Sequence, residues 1–329
     1  MIARITRILL LVQLVIALLL ALMIAYARPG LAPASALLLG FGCVLLARAA
    51  IVANNFRVAA VAGAASDDPT GETTWLRLLR MFCGELYATL VSSSWHMPFC
   101  RLGAVPETRG SGLPVLLVHG YGCNSGYWQP MARAFRSAGI RFSAVDLEPV
   151  LGDIEDYLTG IGHAVEVLRA ATGATQIVIV AHSMGGLAAR AWLGKHGWQQ
   201  TAALITLGTP HQGTALARMG IGKNAAQMWR IDNPAEAARN PWLVRLNAMP
   251  HEPRERIVSV HSTYDNIVVP ATSGALAGAR NIAFACIGHV ALAFHRPVID
   301  CVIECIRKFG DAADASTTQS ISIQEKPSS

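Results

Sequence analysis

Two apolar runs open the chain. From Ile8 to Ala25 every residue is apolar except Gln13. At about 1.5 Å per residue, a helix of that length crosses most of a bilayer core about 30 Å thick. Arg28, Pro29, Gly30 and Pro33 break the run, and a second follows from Ala34 to Ala53, interrupted only by Arg48. The pattern predicts a transmembrane helical hairpin over residues 1–57. Arg4 and Arg7 precede it, Arg48 and Arg57 lie at its far end, and only Arg28 sits in the connection. The positive-inside rule therefore puts both ends in the cytoplasm of a bacterial-type inner membrane. A signal sequence is the competing reading. Ala25-Tyr26-Ala27 resembles a cleavage site, and the rest of the chain would then be exported.

Residues 58–111 read as a linker and an amphipathic helix. Ala59–Thr70 is small and polar, and Trp75–Val91 carries Trp75, Leu78, Leu79, Phe82, Leu86 and Leu90 at helical spacing. That stripe suits either a helix packed on the main domain or one lying in the membrane surface with Arg77 and Arg80 toward the headgroups. From residue 112 the period changes. Short continuous apolar runs at Pro114–His119, Arg141–Leu147, Gln176–His182, Ala203–Leu207, Ile257–His261 and Ile282–Ile287 read as strands buried on both faces. Helical patterns at Asp153–Ala171, Met184–His196 and Val290–Lys308 separate or follow them. Such alternation predicts a mostly parallel sheet with helices on both faces, spanning residues 112–310. Residues 311–329, rich in Ser, Thr, Ala and Gln, read as a disordered tail.

Composition narrows the class. Hydrophobic residues are 53% and charged residues 15%, against about 25% charged in an average soluble domain, and mean hydropathy is +0.39. The net charge of +6 comes from scattered Arg and Lys with no basic run, which argues against a nucleic-acid partner and for an anionic membrane face. The seven cysteines have no paired spacing and suggest reduced thiols.

The strongest chemical signal is Ala181-His182-Ser183-Met184-Gly185-Gly186, at a strand end where a helix begins. A sharp turn there lifts a serine hydroxyl clear of the sheet edge, and small residues two before and two after let the strand and helix backbones approach. The Met184 N–H at the helix start can face a developing oxyanion. The loop Val118-His119-Gly120-Tyr121-Gly122 can supply a second donor, the Tyr121 N–H. A dinucleotide loop is the rival for these glycines, but Ser125 stands where its third glycine is needed. A nucleophilic serine needs a base and a carboxylate to orient that base. His289 and Asp265 each follow a strand in the order serine, acid, histidine. His119 and His182 read as packing residues, and Asp146 and Glu148 as backup acids. Glu304 and Asp300 fall too late, on the last helix. His211 can line the cleft, with Met228 and Trp229.

The stretches VHGYG, AHSMGG, LGTPHQGT, YDNIVVP and GHVAL resemble the α/β-hydrolase superfamily, and within it the bacterial triacylglycerol lipases and esterases. They span about Gly112 to Lys308; the serine turn reads A-x-S-x-G where the commoner form is G-x-S-x-G. The resemblance implies an α/β-hydrolase fold and a carboxylic-ester hydrolase with Ser183 as nucleophile, His289 as base, Asp265 as its orienter and no metal or other cofactor. An acyl ester or lipid is the implied substrate. A thioesterase, amidase or acyltransferase would use the same triad, and a non-catalytic membrane-tethered binding protein would keep the same fold. In this family an insertion such as residues 214–250 often forms a lid, although a plain packed helix pair fits as well.

Overall fold

The structure, a computed structural model, describes residues 1–61, 74–103 and 105–324. Helix α1 runs from Ile2–Ala27 and α2 from Pro33–Val61. Both are long and apolar enough to cross a membrane, and most of their surface is not covered by the rest of the chain. They pack against each other where Gly40 lies on the Ala17 carbonyl and 2.9 Å, by an added Cβ, from the Ala21 nitrogen. Any side chain there would force the helices apart. Helix α2 runs on past the expected start of the linker, most of which lies outside the described residues.

Helix α3, Trp75–Val91, begins at Thr74, whose side chain accepts the Arg77 N–H. It continues through a π-turn at Ser92–His96 and a last helical turn at Met97–Phe99. Its buried face is Met81, Glu85, Ala88 and Ser92, whereas Trp75, Leu76, Leu78 and Leu79 are exposed. The N-terminal part of the apolar stripe is therefore left uncovered by the rest of the described chain. Phe56 of α2 and Phe82 of α3 meet with ring centroids 6.5 Å apart. The Arg48 guanidinium reaches from α2 to the Ser93 and Ser94 hydroxyls.

The remaining chain builds one sheet of six parallel strands: β1 Ser111–Val118, β2 Ile140–Val145, β3 Ile177–His182, β4 Thr201–Leu207, β5 Ile257–Ser262 and β6 Arg280–Phe284. The order is β2-β1-β3-β4-β5-β6. Strand alternation divides the core in two. Val115, Leu117, Val178 and Val180 face helices α4 (Gln129–Ala138) and α10 (Arg296–Gln324). Leu116, Val118, Ile177 and Ile179 face α5 (Leu158–Thr172), α6 (Met184–His196) and, beyond them, part of the insertion. That insertion holds three short helices, α7 (Lys223–Gln227), α8 (Pro234–Arg239) and α9 (Pro241–Asn247). It contributes Met228, Trp242, Leu243 and Leu246 to the core, while Met219 and Ile221 stay exposed. Helix α10 continues to Gln324, through most of the stretch where the sequence suggests a tail. Its Ala-rich segment after Gly310 favours that continuation.

The order in which parallel strands are laid down reverses between β1 and β3: β2 is added on one side of β1, and β3 and then β4 on the other. Loops leaving the carboxyl ends of β1 and β3 diverge there and leave a crevice, the usual ligand site of open parallel sheets.

Candidate active site

Ser183 occupies that crevice at the turn from β3 to α6. Its backbone lies at φ 56° and ψ −129°, a region that costs a non-glycine residue about 1–3 kcal/mol. The turn is held from several sides. The Ser183 N–H donates to the Leu207 carbonyl at 2.9 Å, and its own carbonyl accepts from Gly186 N–H at 3.0 Å and from the Thr209 hydroxyl at 2.9 Å. The Ser183 side chain does not cap α6, so its hydroxyl is not spent on the helix. Close packing explains the surrounding glycines. A Cβ on Gly120 would sit 2.8 Å from Ser183 Cβ, and one on Gly185 would strike the His119 carbonyl.

Asp265 and His289 come from two further loops of the same sheet edge. Asp265 follows β5. Its Oδ1 accepts the Ile267 and Val268 N–H groups at 2.8 and 2.7 Å, which leaves Oδ2 for the His289 ring. His289 Nδ1–H donates to that oxygen at 2.8 Å, which fixes the tautomer and leaves Nε2 for another partner. Ser183, His289 and Asp265 are 7%, 4% and 2% exposed. Burial alone would lower the His289 pKa. The Asp265 charge and hydrogen bond, with a smaller contribution from Glu85, outweigh it and raise the imidazole above its usual range.

The His289 main chain is held as firmly as its ring. Its N–H donates to Asn266 Oδ1 at 2.9 Å, and its carbonyl accepts from His182 Nε2 at 3.1 Å. The His182 ring lies 4.5 Å, centroid to centroid, from that of His289. Burial, then the nearby His289 charge, push its pKa well down; it is a neutral strut. His119 is also structural: its Nε2 accepts the Leu147 N–H at 2.9 Å, and Nδ1 lies 2.9 Å from the Gly120 carbonyl. Asp146 takes the Ser125 N–H at 2.7 Å and pairs with Arg101, and Glu148 pairs with the Met1 amino group. Neither backup acid is spent on His289.

Met184 is the first residue of α6, where backbone N–H groups lack intrahelical acceptors. Tyr121 lies on the β1 loop opposite. Its hydroxyl donates to the Ile221 carbonyl at 2.8 Å and accepts the Ile221 N–H at 3.1 Å. The loop is thereby fastened to the insertion. Met228 is buried in the same apolar cluster as Met184, and Tyr121 and Trp229 pack against it.

His211 lies elsewhere than the cleft wall. It is fully buried, with Nε2 3.1 Å from the Ser259 hydroxyl and Nδ1 3.4 Å from Arg190 Nη1. Arg190 is itself fully buried and forms a two-pronged pair with Glu252 at 2.8 and 2.9 Å. His211 therefore braces a buried ion pair beneath the loop after β4. Its strand-end position looks the same in sequence, and only the tertiary partners separate the two roles. Glu85 and Arg190 are further buried charged residues that the motifs do not reveal. The one available signal for Glu85 is its place as the lone acid between Met81 and Ala88 on one helical face.

Residues 114–250 match the family described as the alpha/beta hydrolase fold. A triacylglycerol lipase of Pseudarthrobacter phenanthrenivorans is 32% identical over 114 residues, covering 32% of this chain and 35% of that protein. A triacylglycerol lipase of Burkholderia plantarii is 32% identical over 114 residues, covering 32% of this chain and 31% of that protein. The chain thus spans about a third of the length of the curated relatives it matches. A solved structure, the mature form of a Bacillus licheniformis lipase, aligns with a TM-score of 0.50 at 18% identity. That alignment covers 59% of this chain and 92% of the lipase, and it is a likeness of fold. Behind its two long apolar helices, the chain carries a domain of the α/β-hydrolase fold that resembles the triacylglycerol lipases.

Proposed function

We propose that the chain is a membrane-anchored serine hydrolase that cleaves acyl esters, lipids among them. The observation that carries the reading is the 2.8 Å hydrogen bond from His289 to Asp265, on the sheet edge where Ser183 occupies a strained strand-to-helix turn. In this reading the Ser183 oxygen attacks the ester carbonyl while His289 Nε2 takes its proton. The Tyr121 and Met184 N–H groups stabilise the oxyanion. His289 then protonates the leaving alcohol, and Asp265 steadies the imidazolium throughout. Water, activated by the same histidine, releases the acid from Ser183 and restores the site.

The apolar hairpin is the anchor, and its contacts support a seat close to the site. Ile2 at the start of α1 packs with Met97 and Val150, and Ala59 near the end of α2 packs with Val269. Both outer ends of the hairpin thus meet loops from the carboxyl edge of the sheet. The exposed apolar residues of α3, together with Trp95 and Phe99, extend an aromatic, interface-type surface from that junction. An ester dissolved in the bilayer would have a short path to Ser183.

The test is labelling of the full chain in detergent with a fluorophosphonate, beside hydrolysis of p-nitrophenyl esters of increasing chain length. Ser183→Ala should abolish labelling and lower hydrolysis by about 10⁴-fold or more. A folded Ser183→Ala protein that keeps a tenth of the activity would end the proposal.

A further inference from the structure

Helix α3 precedes the hydrolase domain and supplies no member of the proposed triad. It nevertheless delivers a buried carboxylate to the back of the site. Glu85 is 1% exposed. Its Oε1 accepts the Val290 N–H at 3.1 Å and its Oε2 the Ala291 N–H at 2.9 Å. These are the first two N–H groups of the 3-10 turn Val290–Ala293, which His289 opens. The fit is close, since a Cβ on Gly288 would run into Glu85 Oε2. Enclosing a carboxylate costs several kcal/mol unless donors meet its oxygens, and here both oxygens are met by the turn that carries His289.

The charged and titratable groups around this turn are few. Asp265 faces His289 from the loop after β5, His182 from β3, and Tyr127 donates its hydroxyl to the Val290 carbonyl at 3.0 Å. A cavity of about 310 Å³ between α3 and the turn is lined by Arg77, Arg80, Met81, Gly84, Gly288 and His295, among others. Burial raises the Glu85 carboxyl pKa; the Ala291 and Val290 N–H groups and the His289 charge offset this only in part, and the Asp265 charge adds to the rise. Its negative charge adds to that of Asp265 in holding the proton on His289.

We propose that Glu85 is a positioning residue for His289: it pins the turn that carries the base, from a helix joined to the apolar hairpin. The assignment rests on the triad reading above. Asn266 and His182 still hold the His289 main chain when Glu85 is replaced, so the fold survives, but the turn can shift. A displacement near 1 Å at a reacting group costs up to about 100-fold in rate.

The experiment uses the full chain in detergent micelles with a p-nitrophenyl ester, measuring kcat and KM from pH 5 to 9. Glu85→Gln keeps the volume but removes the charge and sets an amide donor against one N–H. It should lower kcat by about 10- to 100-fold, leave KM within about twofold, and move the acid limb of the profile to lower pH. Gly288→Ala displaces the carboxylate from the opposite side and should lower kcat likewise; it serves if Glu85→Gln does not fold. Ser183→Ala runs in parallel. If Ser183→Ala is inactive while a folded Glu85→Gln keeps the wild-type kcat and acid limb, the Glu85 assignment is overturned and the triad stands. A lower Tm with an unmoved acid limb marks Glu85 as merely structural and overturns it as well. Hydrolysis that survives Ser183→Ala overturns the triad, and the Glu85 assignment with it.

Discussion

His289 Nδ1 and Asp265 Oδ2 stand 2.8 Å apart, and neither side chain exposes more than a few per cent of its surface. The carboxylate is not free to rotate, because its other oxygen is tied to the Ile267 and Val268 N–H groups. Asp265→Asn keeps this shape. To satisfy those two N–H groups, the asparagine must keep its oxygen toward them and turn its NH₂ toward His289. That disfavours the tautomer with a proton on Nδ1. The expected result is a fall in kcat of about 10⁴-fold with near-normal folding. Ester hydrolysis and circular dichroism of the same preparation check it.

Stability should depend on pH through the buried histidines. Burial lowers the pKa of His119, and it lowers those of His182 and His211 far more, helped by the His289 and Arg190 charges respectively. In the unfolded chain each titrates near about 6.5. The unfolded state therefore binds more protons than the folded state below that pH, and stability is lost as pH falls. His289 acts in the opposite sense: its raised pKa contributes stability that is full below about 6.5 and is lost as pH rises through its folded value. His96, His261 and His295 are lowered by burial as well, so among the described residues six histidines oppose one. The Tm should hold near neutrality and drop steadily from about pH 6.5 downward, and His182→Gln should flatten that drop. A Tm that rises on acidification contradicts the assignment.

The Arg190–Glu252 pair sits in the fully packed layer beneath the β4 loop, with Asn247 on one guanidinium nitrogen at 2.9 Å. Removing Arg190 leaves the buried Glu252 carboxylate with only the partly exposed Arg254, 3.2 Å away, as a cationic partner. Arg190→Met should cost about 3–5 kcal/mol, read as a shift in the urea midpoint, although Arg190 lies outside the proposed chemistry. A loss under about 1 kcal/mol would mean that the pair behaves as an exposed one.

Periodicity shows the inner strands well because they are buried on both faces and read as unbroken apolar runs, as in Val115–Val118 and Ile177–Ala181, whereas β6, Arg280–Phe284, is a largely exposed edge strand that begins before the apolar run Ile282–Ile287. The serine turn is legible for a local reason. Ser183, Gly185 and Gly186 are constrained by contacts made within a few residues or against the adjacent strand loops. What stays hidden depends on distant partners. The buried face of α3 is set by the His289 turn more than 200 residues away, so its apolar stripe is a poor guide to which side is covered. His211 looks like a cleft residue until Arg190, Ser259 and Glu252 are placed around it. The C-terminal helix outruns its pattern first through Ala312, Ala313 and Ala315, which support helix without any apolar stripe.

The last prediction concerns the side of the membrane. Arg4, Arg7, Arg48 and Arg57 sit toward the ends of the hairpin that meet the hydrolase domain, and Arg28 alone sits at its tip. The structure adds a geometric argument against cleavage near Ala27. Removing α1 would uncover Gly40, against which Ala17 and Ala21 pack. It would also strip Ile2 from Met97 and Val150. We therefore expect an uncleaved hairpin with the domain on the cytoplasmic side. A green fluorescent reporter fused after Ser329 should fluoresce, and alkaline phosphatase at the same point should be inactive. The chain recovered from membranes should keep its first residues when its N-terminus is sequenced. An active phosphatase fusion with a new N-terminus near Arg28 would reassign the first run as a signal sequence. It would also leave α2 as the sole anchor, with Gly40 facing lipid instead of a partner helix.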